Sequence, residues 1–237
     1  MKRTFFACSI AALTLTCGGV RASVVFDDKP PGTIVQDVTA YLSGEAMSSG
    51  WRVVTSRVMV GRQNGKDPAY QWYVSVYHFQ PTGVFAKLVY RSPGAQNDNV
   101  LSRVEKAKGA QLYFPIQTVN VAGAGEFRRQ GVQDVVIVAH EAGADCGSST
   151  VSVMGYNAAA RRIEPRVQIT NGCELQAAIV KSGSMRAIRL TGPYYSKTAP
   201  LCCPTKPRAV AMLAYRNGAW SVRPNYFMIS ASIAAHK

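Results

Sequence analysis

The sequence contains few histidines and few acidic residues, and its basic residues do not cluster. It has three histidines and 13 acidic residues against 27 basic ones. Beyond residue 22, adjacent basic residues occur only at Arg128-Arg129 and Arg161-Arg162. Nucleic-acid binding predicts clustered basic residues with interleaved aromatic side chains, so this dispersion argues against a nucleic-acid partner. Dispersed positive charge favours an envelope polyanion or an acidic protein face as partner, with solubility alone as the alternative explanation.

The spacings of the common metal and nucleophile sites are also missing. No two cysteines have the short spacer of a zinc site, and no second histidine follows His140 by four residues. No serine lies in a Gly-x-Ser-x-Gly segment, and no fixed-period repeat indicates a propeller or a solenoid. We therefore expect neither a metal ion nor a cofactor.

A long apolar segment that could cross a bilayer is absent as well. Lys2 and Arg3 form a basic start, and an apolar stretch continues from Thr4 to about Val20. Val20-Arg21-Ala22 then places small residues at the two positions that a signal peptidase reads. This pattern predicts a secretory signal peptide over residues 1–22, cleavage after Ala22, and a periplasmic or secreted protein.

Cys17 offers lipidation as an alternative to simple cleavage. A lipobox requires Gly, Ala or Ser just before the cysteine and usually Leu three residues before it, where this chain has Thr16 and Thr14. Cleavage without lipidation is therefore favoured. Removal of the signal leaves 215 of the 237 residues, which suit a single secreted β-rich domain over residues 23–237. A subdivision near residues 123–131 is the alternative.

Patterns typical of strands dominate the second half of the chain. Segments rich in β-branched residues alternate with turn pairs such as Asn171-Gly172 and Asn217-Gly218, which predicts seven strands. They are Asp134–His140, Thr150–Asn157, Ile163–Thr170, Glu174–Lys181, Arg186–Thr191, Arg208–Arg216 and Trp220–Arg223. The first of these strands is apolar on both faces, which indicates a central strand that is covered on both sides.

The sequence pattern of the first half of the chain predicts strands together with two short helices. Apolar residues at helical spacing predict one helix over Thr33–Met47 and another over Asp98–Lys108. Further strands are predicted at Trp51–Gly61, Gln71–Gln80, Val84–Arg91 and Leu112–Val121. The predicted fold class is therefore mainly β (α+β), with antiparallel sheets in a sandwich-like meander and two short helices.

Four of the six cysteines lie beyond residue 22, and the strand order predicts that they meet. In an up-and-down meander every second connection lies at the same end of the sheet. Cys146 lies in the first connection of the seven strands, Cys173 in the third, and Cys202 and Cys203 in the fifth. An even number of cysteines in an exported chain predicts two disulfides. Because a Cys202–Cys203 bond would close a strained ring, we expect Cys146 and Cys173 each to join one of that pair.

The densest group of ionisable side chains is His140, Glu141 and Asp145, at the end of the central strand. These residue types could form an acid–base pair or a metal site. A lone histidine at the end of a strand is more often structural, so no catalytic residue is assigned. A hydrolase or metal-binding protein that uses these three residues is the alternative function.

The connection that contains Cys202 and Cys203 carries the candidate binding residues. Aromatic side chains supply rigid contact area, and basic side chains bind anionic groups. The candidate residues are Tyr194, Tyr195, Lys197, Lys206 and Arg208. The structural alternative is a long loop that is held down by its own apolar residues and a disulfide.

The segment Pro193–Pro204, with its Cys-Cys-Pro sequence, and the segment Leu213–Trp220 resemble the mycobacterial LppP/LprE-type lipoprotein family. The strand Asp134–His140, which precedes a cysteine, fits the same pattern. The resemblance covers about residues 126–224 and implies an exported, envelope-associated protein without known catalytic residues. This chain departs from the family in lacking a sound lipobox.

Together these features predict a non-catalytic exported envelope protein. It would serve as an accessory or binding domain for an anionic envelope component or for a partner protein. A purely structural envelope protein is a further alternative.

Overall fold

The structure is a computed structural model that describes residues 24–43, 50–63, 67–79, 85–92, 116–141, 147–171, 173–196 and 204–232. Within these ranges 14 strands form three sheets. They are β1 (Val25–Phe26), β2 (Thr33–Ala40), β3 (Trp51–Gln63), β4 (Asp67–Phe79), β5 (Phe85–Arg91), β6 (Ile116–Arg129), β7 (Val132–Glu141), β8 (Ser148–Asn157), β9 (Arg162–Asn171), β10 (Gln176–Ser182), β11 (Met185–Tyr194), β12 (Lys206–Arg216), β13 (Ala219–Arg223) and β14 (Ile229–Ser232). None of the described residues belongs to a helix that could span a membrane.

The three sheets are almost entirely antiparallel. The first sheet has the order β1-β5-β4-β3-β2, the second β14-β9-β8-β7-β6 and the third β10-β11-β12-β13. Among the strands of the described ranges, only β1 and β5 pair in parallel. The prediction of a mainly β protein with antiparallel sheets is confirmed.

The seven strands predicted from Asp134 onward are present as β7 to β13, but they do not form one continuous meander. β7, β8 and β9 are successive neighbours in the second sheet, and β10 to β13 are successive neighbours in the third. The chain changes sheets between Asn171 and Gln176. The strands β7 to β9 and the strands β10 to β13 therefore each keep the up-and-down order. The predicted meander is interrupted at the connection between β9 and β10.

The second sheet lies between the other two, because apolar residues cover both of its faces. In β7, Val136 and Val138 belong to the core shared with the third sheet, where they join residues such as Leu190. Val135 and Ile137, which point the opposite way, belong to the core shared with the first sheet. Successive side chains of a strand alternate between faces, so an all-apolar strand fits only a middle layer. The prediction that β7 is a central strand is confirmed.

The helix predicted over Thr33–Met47 is wrong, because Thr33–Ala40 forms strand β2 and pairs with β3. Residues four apart share a face in a helix, but they also share a face in a strand. The spacing of Ile34 and Val38 therefore fits both structures. β-Branched residues fit strands better than helices, and pairing with β3 gives the backbone its hydrogen-bond partners. The helix predicted over Asp98–Lys108 lies outside the described residues.

Candidate functional site

The ends of three strand connections meet at one edge of the molecule, which we call the cysteine rim. It comprises the described residues that flank the β7–β8, β9–β10 and β11–β12 connections. The backbone N–H of Leu175 donates to Ser149 Oγ at 3.0 Å, and the side-chain amide of Asn171 donates to the carbonyl oxygens of Cys173 and Pro193 at 3.2 and 3.3 Å. These bonds join residues from all three connections.

Cys173 is the one predicted disulfide cysteine within the described residues. It is completely buried, and its sulfur lies 3.0 Å from the hydroxyl oxygen of Tyr195. The Tyr195 side chain therefore points toward Cys173. Cys146, Cys202 and Cys203 lie outside the described residues.

His140 is bonded to a serine of the neighbouring strand. Its Nδ1 lies 2.7 Å from Ser149 Oγ, because the β7–β8 register places the two residues opposite each other. Ser149 is completely buried, and its hydroxyl oxygen also accepts the N–H of Leu175. A nucleophile must be reached by its substrate, so this serine has the surroundings of a structural bridge between two sheets.

Among the described contacts, none joins His140 to Glu141 or to Asp145. Glu141 Oε2 accepts a hydrogen bond from Ser148 Oγ at 2.9 Å, and Asp145 lies outside the described residues. No cluster of three or more metal-binding side chains occurs in the described ranges.

Two of the predicted binding residues, Tyr194 and Lys206, face each other across the β11–β12 pair, and a third side chain, Tyr226, completes the group. We call these three residues the tyrosine–lysine cluster. The ring centroids of Tyr194 and Tyr226 are 5.0 Å apart. Lys206 Nζ donates to the Tyr226 hydroxyl at 2.6 Å and lies 4.6 Å from the centre of the same ring. Tyr226 lies beyond β13, and no local pattern in the sequence links it to β11.

Arg208 has different surroundings from Lys206, although the two are only two residues apart. The register shifts between Gly192 and Tyr194, and such a bulge breaks the strict alternation of side chains. Arg208 instead lines a separate groove of about 260 Å³ with Arg189. The sequence alone predicts that residues 206 and 208 share a face, and the bulge separates them. Lys197 lies outside the described residues.

A second candidate site was not predicted from the sequence. It is a cavity of about 470 Å³ that we call the arginine cleft. Its walls come from the ends of β6 to β9, the chain after β2, and β12. The lining residues are Leu42, Ser43, Arg128, Arg129, Val132, Asp134, Tyr156, Asn157, Ala158, Ala159, Glu164, Arg166 and Tyr215.

A network of ion pairs forms the floor of the arginine cleft. Arg128 binds the buried Asp134 through two hydrogen bonds, Nε to Oδ2 at 2.8 Å and Nη2 to Oδ1 at 2.9 Å. Glu164 Oε1 accepts from Arg166 at 2.7 Å and from Asn157 at 2.9 Å. The two parallel bonds between Arg128 and Asp134 are the strong, directional form of a charged hydrogen bond.

Burial and neighbouring charges change the pKa values of this network. Burial alone would raise the pKa of Glu164, but hydrogen bonds from Asn157 and Arg162 and the charge of Arg166 bring it below its usual value. Burial lowers the pKa of Arg166, and the nearby positive charge of Arg128 lowers it further. The hydrogen bonds and the positive charges around Glu164 therefore keep its carboxylate ionised.

The sequence carries one signal for the arginine cleft. The two adjacent basic pairs beyond residue 22 both lie near it: Arg128-Arg129 lines the cleft, and Arg162 donates to Glu164 at 3.3 Å. No local pattern shows that a turn between β6 and β7 and a turn between β8 and β9 are neighbours.

Comparison with known proteins gives no relative for this chain. No protein-family model, no curated protein and no solved structure matches it.

Proposed function

We propose that this chain is a non-catalytic, exported envelope protein that binds an anionic envelope component or a partner protein at the cysteine rim. The tyrosine–lysine cluster carries the proposal. It combines an exposed lysine with two aromatic rings that contact each other at a tilt of 45°, and such a surface offers rigid contact area together with positive charge. Its position at the end of β11 and β12 leaves Lys206 accessible to a large partner.

The sequence of the first 22 residues and the resemblance to the LppP/LprE-type lipoprotein family support export and an envelope location. The cysteines support the same compartment. The proposal includes a disulfide at the buried Cys173, and disulfides persist in oxidising environments outside the cytosol. The pairing of Cys146 and Cys173 with Cys202 and Cys203 remains part of the proposal.

The alternative is a hydrolase or metal-binding protein that uses His140, Glu141 and Asp145, and in the described residues His140 is bonded to Ser149. The burial of Ser149 and its second bond to Leu175 favour a structural role for this pair. The alternative predicts turnover of ester, peptide or glycan substrates that is lost in a folded His140→Ala variant. We expect the wild-type protein to turn over none of these substrates.

The binding proposal is tested by retention of the exported chain on a sulfated polysaccharide matrix. Lys206→Ser should weaken retention roughly twofold to fivefold, because an exposed charged contact contributes at most about 1 kcal/mol. Lys87→Ser is the matched control, since Lys87 is an exposed lysine of the first sheet. The retention of Arg208→Ser, measured separately, shows whether the groove lined by Arg208 belongs to the same binding surface as the tyrosine–lysine cluster.

The retention of all variants should fall with salt, since exposed charges are screened beyond about 8 Å at physiological ionic strength. Equal losses in Lys206→Ser and Lys87→Ser would mean that diffuse charge, and not the tyrosine–lysine cluster, causes the retention.

A further inference from the structure

The arginine cleft contains more positive charge than its carboxylates neutralise. Four arginines lie in or beside it, against the carboxylates of Asp134 and Glu164, which leaves an excess of two positive charges. Arg129 lines the cleft, is exposed and forms no ion pair within the described parts of the chain. A free guanidinium group beside a saturated network is a ready partner for an added anion.

The two carboxylates of the cleft are already bonded by the protein's own donors. Both oxygens of Asp134 are held by Arg128. In Glu164, Oε1 accepts from Asn157 and Arg166, while Oε2 accepts from Arg162. Each carboxylate therefore faces the cleft with its charge compensated, so it opposes the entry of an anion only weakly.

Arg166 keeps one buried donor atom without a hydrogen-bond partner. Its Nε is buried and has no hydrogen-bond partner among the described residues, although Nη1 and Nη2 are bonded to Glu164 and to the carbonyl oxygen of Tyr156. An arginine that is buried beside another arginine is stabilised by any anion that binds near both.

Apart from Ser43 and Asn157, the remaining wall of the cleft is formed by apolar and aromatic residues. Leu42, Val132, Tyr156 and Tyr215 line it together with two alanines of the β8–β9 turn. Such a wall suits a hydrocarbon or aromatic body better than a fully hydrated inorganic ion. The volume of about 470 Å³ falls within the range of roughly 300–1,000 Å³ that is typical of small-molecule sites.

We propose that the arginine cleft binds a small organic carboxylate with an apolar body. The carboxylate pairs with Arg129 and with Nη1 of Arg128, which the bonds to Asp134 leave available. The planar fork of a guanidinium group matches the two oxygens of a carboxylate. The apolar body lies against Tyr156 and Tyr215. This site is independent of the surface proposed at the cysteine rim.

The experiment titrates the full exported chain with benzoate at fixed ionic strength and follows binding by calorimetry. We expect saturable binding at millimolar or tighter concentration, as suits a ligand of few atoms. Arg129→Gln should weaken benzoate roughly tenfold, because a hydrogen bond to a charged group is lost. Since Arg129 is outside the ion-pair network, its substitution should leave the melting temperature unchanged, which separates lost binding from lost folding.

Arg189→Gln is the matched control, because Arg189 is an exposed arginine that lines a different groove. It should bind benzoate as the wild type does. Benzamide, which keeps the ring and lacks the charge, and sulfate, which has charge without an apolar body, should both bind more weakly than benzoate. The proposal is overturned if benzoate does not saturate, if both arginine variants lose binding equally, or if benzamide or sulfate binds as tightly as benzoate.

Discussion

Gly155 has no side chain, and this leaves the space in which the ion pairs of the arginine cleft form. A Cβ atom at this position would lie 2.2 Å from Asp134 Oδ1 and 2.7 Å from Arg166 Nε. Both distances are far inside van der Waals contact, and both atoms belong to groups held by other bonds. The absence of a side chain at residue 155 is therefore required by the network around it.

We predict that Gly155→Ala lowers the free energy of unfolding by about 1–3 kcal/mol, the usual cost of forcing an extra group into packed surroundings. Gly50→Ala is the control, because its Cβ would meet its nearest neighbours at 3.7 and 3.9 Å. That change should stay within about 0.5 kcal/mol of the wild type. Urea unfolding of the three proteins measures the difference, and similar values for both variants would contradict the prediction.

Glu164 links the same network to pH. Its pKa in the folded protein is lowered from the usual 4.5, because the hydrogen bonds from Asn157 and Arg162 outweigh the effect of burial. A carboxylate whose folded pKa is lowered stabilises the protein above its unfolded pKa, and this contribution is lost as the pH falls through the folded pKa. The loss must therefore begin near pH 4.5 and continue below it.

We predict that Glu164→Gln is less stable than the wild type at neutral pH and that the gap narrows on acidification below about pH 4.5. Melting temperatures of the two proteins between about pH 7 and about pH 3 test this. A gap that stays constant over that range would show that the charge of Glu164 does not contribute to stability.

At the scale of the elements, the segment between β13 and β14 returns the chain from the third sheet to the second. Phe227 lies in this segment and is buried in the core that these two sheets share. Met228, the next residue, is 74% exposed. Phe227 is therefore the fully buried anchor of the segment, beside Tyr226 and Ile229, which are partly buried against the same core.

We predict that Phe227→Ala costs about 3–5 kcal/mol in the free energy of unfolding, as is usual for a large aromatic residue removed from a core. Met228→Ala should change it by less than about 0.5 kcal/mol. Guanidinium unfolding compares the two variants. If Phe227→Ala lowered the free energy of unfolding as little as Met228→Ala does, the ring of Phe227 would not anchor the segment.

At the scale of the whole molecule, the three stacked sheets bring together connections that are far apart in the sequence. The bonds among Ser149, Leu175, Asn171 and Pro193 join three such connections. The position of Cys173 among them is what the proposed pairing of the four cysteines requires, because a disulfide spans only a short distance between strand ends.

We predict that the exported protein, denatured without a reducing agent, contains no cysteine that reacts with a thiol reagent. Mass spectrometry before and after reduction should differ by the label on four cysteines. Reduction should also lower the melting temperature, since each disulfide contributes about 2–4 kcal/mol. A peptide map that joins Cys202 to Cys203 would contradict the pairing.

The second half of the fold was predictable from sequence because its signals are local. Strand β7 is apolar on both faces and β8 alternates between buried and half-buried residues, and turn pairs such as Asn217-Gly218 mark strand ends. The first half was less predictable because the spacing of Ile34 and Val38 suits two structures. Of the tyrosine–lysine cluster, Tyr194 and Lys206 were singled out from the sequence as candidates, whereas Tyr226 joins them through a contact with a segment some 30 residues away from Tyr194.

The sequence by itself determined that β7 is covered on both faces and that seven strands follow one another from Asp134. It also determined that the β7–β8, β9–β10 and β11–β12 connections can share an edge. These properties depend on the period of two along a strand and on turn residues, both of which act over a few residues. Only the tertiary structure decided that the chain changes sheets after β9, that a bulge separates Lys206 from Arg208, and that two basic pairs surround one cleft. Each of these depends on which strands pack against one another, and packing between layers joins residues whose separation along the chain leaves no local pattern.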